Sequence, residues 1–412
     1  MSRTLKDLLA TGAYDAPALG APGRPPLDYR GLRAVIADTL TTLNALDIGR
    51  GDRVAIVLNN GPEMAACYMA CASGVTSAPL NPAYRADEFE FYLQDLNAKA
   101  LIVEAGSASP AVAVAQKLGV RLIDLVAPTD GPAGAYSLVA RDGATASAAA
   151  ENGGFAHPDD VSMVLHTSGT TSRPKIVPLS QANLVASATH IGRTLRFTPG
   201  DRGLNIMPLF HIHGLIAGIL APLSAGSFVF CTPGFNALKF FAWMDEAQPT
   251  WYTAVPTMHQ AILSRAGKNA DVIARHPLRF IRSSSSSMPP QVIAELEQVF
   301  GAPLIESYGM TEATHQMASN PLPPAVRKPG TVGIAAGPEV AIMGEDGSLL
   351  APGETGEIVI RGPNVTAGYE NNPKANAEGW RDGWFRTGDQ GVMDADGYVS
   401  ITGRLKEIIN RG

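Results

Sequence analysis

His166-Thr167-Ser168-Gly169-Thr170-Thr171-Ser172-Arg173-Pro174-Lys175 follows the apolar run Val161–Leu165, and its reading decides the fold. A short apolar run bounded by turn residues reads as a buried strand, and the stretch beyond it as a loop. That loop carries hydroxyls around one glycine and ends on one lysine. Hydroxyls and free backbone N–H groups donate to phosphate oxygens, Gly169 lets the chain approach closely, and Lys175 supplies positive charge. Glycine and lysine stand in the wrong order for the G-x-x-x-x-G-K-[ST] loop of P-loop NTPases. A strand that feeds a ligand loop is the usual site arrangement of an open α/β sheet.

The flanking sequence keeps that pattern. Val54–Leu58, Ala100–Val103, Leu204–Met207, Phe228–Cys231, Trp251–Val255, Arg279–Arg282 and Leu304–Glu306 read as short strands. Helical segments alternate with them; Phe89, Tyr92, Leu93 and Leu96 fall on one helix face. Residues 125–157, rich in Ala, Gly, Ser and Pro, read as a surface excursion. From about Pro321 the pattern changes to short strands at Val340–Met343, Glu357–Arg361 and Tyr398–Thr402, separated by Gly, Asp and Pro turns, which predicts a smaller antiparallel lobe. The expected organisation is 1–180 and 181–320 as two α/β subdomains, 321–402 as a β lobe and 403–412 as a hinge.

Composition narrows the function classes. The chain has 412 residues, too many for one hydrophobic core, and a net charge of -6 with both signs dispersed. No basic stripe invites nucleic acid, and no apolar run reaches membrane-spanning length. Cys67, Cys71 and Cys231 lack metal-ligand spacing, and the N-terminus lacks a signal-peptide core, so a cytoplasmic protein is expected. Oligomeric state is not legible.

Four further segments join the loop. Ser307-Tyr308-Gly309-Met310-Thr311-Glu312 places a ring, a hydroxyl and a carboxylate together after a strand. Tyr308 suits stacking on a base, Thr311 a phosphate, and Glu312 a hard cation such as Mg²⁺. Asp389, in Trp384-Phe385-Arg386-Thr387-Gly388-Asp389, suits the two hydroxyls of a ribose, and Arg404, in Gly403-Arg404-Leu405-Lys406, the same sugar or a phosphate. The run Ser283 to Ser287, held between Phe280-Ile281 and Met288-Pro289, reads as a packed turn.

With these motifs in order, the chain resembles the large N-terminal domain of the adenylate-forming superfamily, which includes acyl-CoA synthetases, luciferases and peptide-synthetase adenylation domains. The resemblance runs from about residue 30 to 412. It implies an α/β fold of two sheet subdomains in αβαβα layers with a β-barrel-like lobe, and it implies ATP, Mg²⁺ and coenzyme A as co-substrates beside a small carboxylic acid. Thr167, Ser168, Gly169, Thr170, Thr171 and Lys175 would clamp the phosphates. Ser285, Ser286, Ser287, Ser307, Tyr308 and Gly309 would bracket the adenine, Thr311 would touch the α-phosphate, and Glu312 would bind the metal. Asp389 and Arg404 would hold the ribose, with Lys406 at a hinge. The catalytic set so implied is Thr167, Lys175, His211, Thr311 and Glu312.

The acid is addressed by Pro208-Leu209-Phe210-His211-Ile212-His213-Gly214 and Ala313-Thr314-His315-Gln316. His211, His213, Ser287 and His315 suit a second carboxylate on a very small substrate better than a fatty chain. The surrounding wording resembles oxalate–CoA ligases; medium-chain or aryl acids, and an adenylation domain that loads a carrier protein, are the alternatives. Two departures from the family pattern stand out. Ile176 follows the loop lysine where the family has glycine, which predicts a strained backbone and weaker ATP handling. The chain also ends where relatives continue into a lid domain, so poor turnover is expected of it.

Overall fold

The computed structural model describes residues 3–143, 149–167 and 174–405. Three sheets carry these residues. The first has seven strands, in the order Ser137–Ala140, Arg121–Val126, Ala100–Glu104, Arg53–Val57, Thr76–Pro79, Val161–Thr167 and Lys175–Ser180. Its centre is parallel, as alternation of strands with crossover helices requires, and its two edges are antiparallel. The excursion expected over 125–157 thus contributes an edge strand.

The second sheet has nine strands, in the order Ile334–Ala335, His315–Ser319, Leu304–Met310, Phe280–Ser283, Trp251–Ala254, Arg202–Asn205, Phe228–Cys231, Pro17–Ala21 and Arg24–Asp28. The N-terminal hairpin therefore belongs to this sheet, with Leu19 beside Val229 in parallel register. Pairing across two hundred residues leaves no mark on local sequence periodicity. The third sheet is antiparallel and joins Glu339–Met343, Thr355–Arg361, Trp384–Met393, Trp380–Arg381 and Val399–Arg404. The α/β class and the separate β lobe expected from the sequence are both present.

Helix Pro62–Ala72 has no polar face: Met64 to Ala72 are all buried. It packs on Pro17–Ala21 and Phe228–Cys231 as well as Val161–Thr167, and so ties the two large sheets into one core. Cys67 and Cys71 lie on it as buried free thiols. Among the described residues no helix is long and apolar enough to cross a membrane.

Ile176 sits on ordinary strand backbone, against the strain expected for it. It lies within strand Lys175–Ser180 opposite His166 and is absent from the non-glycine residues with positive φ, so its β-branched side chain suits the backbone there. The side chain is buried beside Val57, Ala78 and Val164. Ile176→Gly should therefore lower the unfolding free energy by about 2–5 kcal/mol, as emptying a buried aliphatic site does. A shift in the urea midpoint would show it; an unchanged midpoint would contradict the packing described.

Candidate active site

The phosphate-loop candidates hang on the hairpin Val161–Thr167/Lys175–Ser180, whose register sets Thr167 directly across from Lys175. Ser168, Gly169, Thr170 and Thr171 lie outside the described residues, as does Lys406. The hydroxyl of Thr167 is buried and has no hydrogen-bond partner among the described residues. Lys175 Nζ sits 4.0 Å from the ring centroid of Tyr369. The Tyr369 hydroxyl in turn donates to Glu312 Oε1 at 2.7 Å. Loop lysine and buried acid are thus joined through a tyrosine to which the sequence reading gave no role.

Strand Leu304–Met310 carries Ser307, Tyr308 and Gly309 to the C-terminal end of the parallel sheet, where open α/β sheets place ligands. Thr311 and Glu312 follow in a single 3₁₀ turn. The Tyr308 hydroxyl donates to Asp389 Oδ2, and Arg404 Nε bonds Asp389 Oδ1 at 2.9 Å. Strand register explains the second contact, because Asp389 and Arg404 are paired residues of adjacent strands. Burial and the neighbouring Asp389 carboxylate push the Tyr308 hydroxyl well above its usual range. It therefore stays a donor. Each oxygen of the Asp389 carboxylate keeps further acceptor capacity for a sugar hydroxyl.

The histidines separate into two environments. His211 is exposed and leans on Phe210, with ring centroids 4.5 Å apart. His213 and His315 are buried and stacked, 4.8 Å apart at 18°. His213 opens a π-helical segment, His213–Leu220, whose wide turns are frequent at functional sites. His213 Nδ1 lies 3.1 Å from the Ser285 hydroxyl, and Ser285 reaches it from a left-handed backbone of φ +75°. Ser285, Ser286 and Ser287 are all exposed, and of the three it is Ser285, not Ser287, that bonds the imidazole. Gly309 is required by closeness: a Cβ there would fall 2.0 Å from the carbonyl oxygen of His315.

Behind both rings stands Arg282, fully buried, which the sequence reading passed over. Its Nη1 lies 3.3 Å from His213 Nε2, and its Nη2 lies 3.1 Å from His315 Nε2 and 3.3 Å from Gln316 Oε1. No carboxylate pairs with it among the described residues, and its Nε has no partner. Burial lowers it to about 9, which leaves it a cation at neutral pH. Burial first and the Arg282 charge second hold both imidazoles well below 6.5.

A family model described as AMP-binding enzyme matches residues 10–370. The chain belongs to this family. Similar members include an oxalate–CoA ligase of Arabidopsis thaliana, 44% identical over 420 residues, covering 100% of this chain and 81% of the relative. The oxalate–CoA ligase of Saccharomyces cerevisiae is 41% identical over 384 residues, covering 88% of this chain and 70% of the relative. Among solved structures, ATP-bound MatB from Rhodopseudomonas palustris superposes with a TM-score of 0.85 at 29% identity, covering 99% of this chain and 80% of that one.

No cluster of three or more His, Cys, Asp or Glu among the described residues could hold a metal ion alone. Mg²⁺ is commonly held by one or two carboxylates together with substrate phosphates and water, so a single protein carboxylate would suffice for it. Glu312 supplies the buried carboxylate. A surface cavity of about 830 Å³ lined by His190, Arg193, Arg196 and Phe197 shares no residue with this family site.

Proposed function

We propose that this AMP-forming acid–thiol ligase takes oxalate or a similar two- or three-carbon polar acid. One carboxylate oxygen attacks the α-phosphorus of ATP in line, the bond to the β,γ-diphosphate breaks, and pyrophosphate leaves. The coenzyme A thiol then attacks the acyl carbon, loses its proton, and displaces AMP. Bound Mg²⁺ would supply charge neutralisation of the phosphates, with Glu312 as its protein ligand. Thr167, Lys175 and Thr311 would donate to phosphate oxygens, Asp389 and Arg404 would hold the ribose, and Tyr308 would lie against the base. Such chemistry depends on positioning and electrostatics more than on a general base.

The observation that carries the choice of acid is the pair His213 and His315 backed by Arg282. A buried cation without a counter-ion is costly, and an anionic substrate nearby would offset part of that cost. An alkyl or aryl chain would instead leave the buried Arg282 charge without any compensating anion. The names of the two relatives, both oxalate–CoA ligases, support the same reading.

Pyrophosphate release measured with oxalate, malonate, acetate, hexanoate and coumarate tests it. Oxalate or malonate should exceed acetate and hexanoate by about 100-fold, as two lost charged hydrogen bonds would imply. Hexanoate or coumarate turning over as fast as oxalate would overturn it.

A further inference from the structure

We propose that Arg282 is a positioning residue that fixes the tautomer of both His213 and His315, so that each ring carries its proton on Nδ1, where the Ser285 hydroxyl takes up that of His213. This rests on the small-acid reading of the site, and it adds the residue that sets that site's hydrogen-bonding polarity.

The argument begins from what a guanidinium can do. It donates from every nitrogen and accepts at none. Nε2 of His213 and Nε2 of His315, 3.3 and 3.1 Å from its two Nη atoms, must therefore present lone pairs. The Thr253 hydroxyl fits the same polarity: it lies 3.4 Å from Arg282 Nη1 as acceptor and 2.7 Å from His213 Nε2 as donor. With Nε2 accepting in a neutral ring, the proton sits on Nδ1. In His213 that N–H faces the Ser285 hydroxyl at 3.1 Å. In His315, Nδ1 faces Gly309, where a Cβ would lie 3.1 Å from it. Ser285 and Gly309 both belong to segments expected to line the nucleotide and acid site, so both Nδ1 atoms lie beside those segments.

Protonation would undo the arrangement, because an imidazolium has no lone pair for Arg282. The charged and titratable groups bearing on His213 are Arg282, His259 and His211; those bearing on His315 are Arg282 and His213. No carboxylate is among them. The rings thus remain neutral through the physiological range, and recognition of the acid should not titrate with them between pH 6 and 8. One planar fork holding two stacked rings also explains why arginine is used: a lysine ammonium cannot span both Nε2 atoms in one plane.

The test uses the chain labelled with ¹⁵N-histidine and the variants Arg282→Met and Arg282→Lys. Long-range ¹H–¹⁵N spectra of the unaltered chain should show the Nδ1–H pattern for His213 and His315 from pH 6 to 8. Arg282→Met should lose that pattern in both rings and weaken oxalate binding by at least 30-fold, read by calorimetry on the AMP-loaded chain. AMP affinity should change by less than threefold. Arg282→Lys, which keeps the charge and guards against a misfolded methionine variant, should lose the pattern in at least one ring and weaken oxalate about tenfold. Retention of both Nδ1–H patterns in either folded variant, or oxalate affinity within threefold of the original in both, would overturn the proposal. A wrong choice of acid looks different: the unaltered chain then binds no oxalate, while its histidine spectra keep the Nδ1–H pattern.

Discussion

Glu312→Gln should lower the maximal rate of pyrophosphate release by about two to three orders of magnitude, the usual cost of removing one electrostatic contact to a reacting phosphate or oxyanion. Glutamine keeps the shape of the side chain and an oxygen that can accept from the Tyr369 hydroxyl, 2.7 Å away in the native protein. The packing of the 3₁₀ turn Thr311–Ala313 should survive, as should the backbone bond from Thr366 N to the Glu312 carbonyl. What is lost is the negative charge that a divalent cation needs. The Mg²⁺ concentration for half-maximal rate should rise at least tenfold, while AMP affinity without metal stays within threefold. Tyr369→Phe isolates the orienting hydrogen bond and should cost about tenfold, in keeping with a bond to a charged acceptor. A Glu312→Gln enzyme with near-native rate at saturating Mg²⁺ would remove Glu312 from the metal site.

The two residues that sharpen the site, Tyr369 and Arg282, show where sequence reading stops. Arg282 did leave a signal: a charge at the end of the buried run Phe280–Ile281 needs a reason, since an unpaired buried charge is expensive. Its partners come from other elements, however, and their convergence is a property of sheet order. Tyr369 carries no spacing pattern at all; it reaches Glu312 because the chain after Thr355–Arg361 returns to the second sheet, where Thr366 N bonds the Glu312 carbonyl. The five serines were identical on paper. Only the left-handed turn at Ser285 selects which hydroxyl meets His213. By contrast, Tyr308, Asp389 and Arg404 were legible as motif residues, and the structure brings all three into contact. The strands Val54–Leu58, Phe228–Cys231 and Trp251–Val255 were readable to within about a residue, since short buried runs between turn residues have few other uses.

Acidification should destabilise this protein well before its carboxylates as a class titrate. Three buried imidazoles, those of His213, His259 and His315, are held neutral by burial, and His259 is pushed down to about 4. In the unfolded chain each binds its proton near pH 6.5, so below that the unfolded state gains protons that the folded state refuses. The stability these groups contribute is complete above about pH 6.5 and is lost as the pH falls toward the folded values. For His259 alone the interval from 6.5 to about 4 is worth about 3 kcal/mol at its acid end. Glu306 works in the opposite sense. Burial raises it to about 7, so its contribution is complete below about pH 4.5 and fades as the pH rises to 7. One partly screened carboxyl does not balance three buried rings, and a domain's whole stability is only about 5–15 kcal/mol. Urea titrations at pH 7.0 and 5.0 should therefore show a lower midpoint at pH 5.0, and the fall should be steeper in Glu306→Gln, where the opposing group no longer ionises. A midpoint that holds steady or rises between pH 7.0 and 5.0 in that variant would mean that the imidazoles are not buried as neutral bases, and the hydrogen-bond polarity assigned around Arg282 would fall with them.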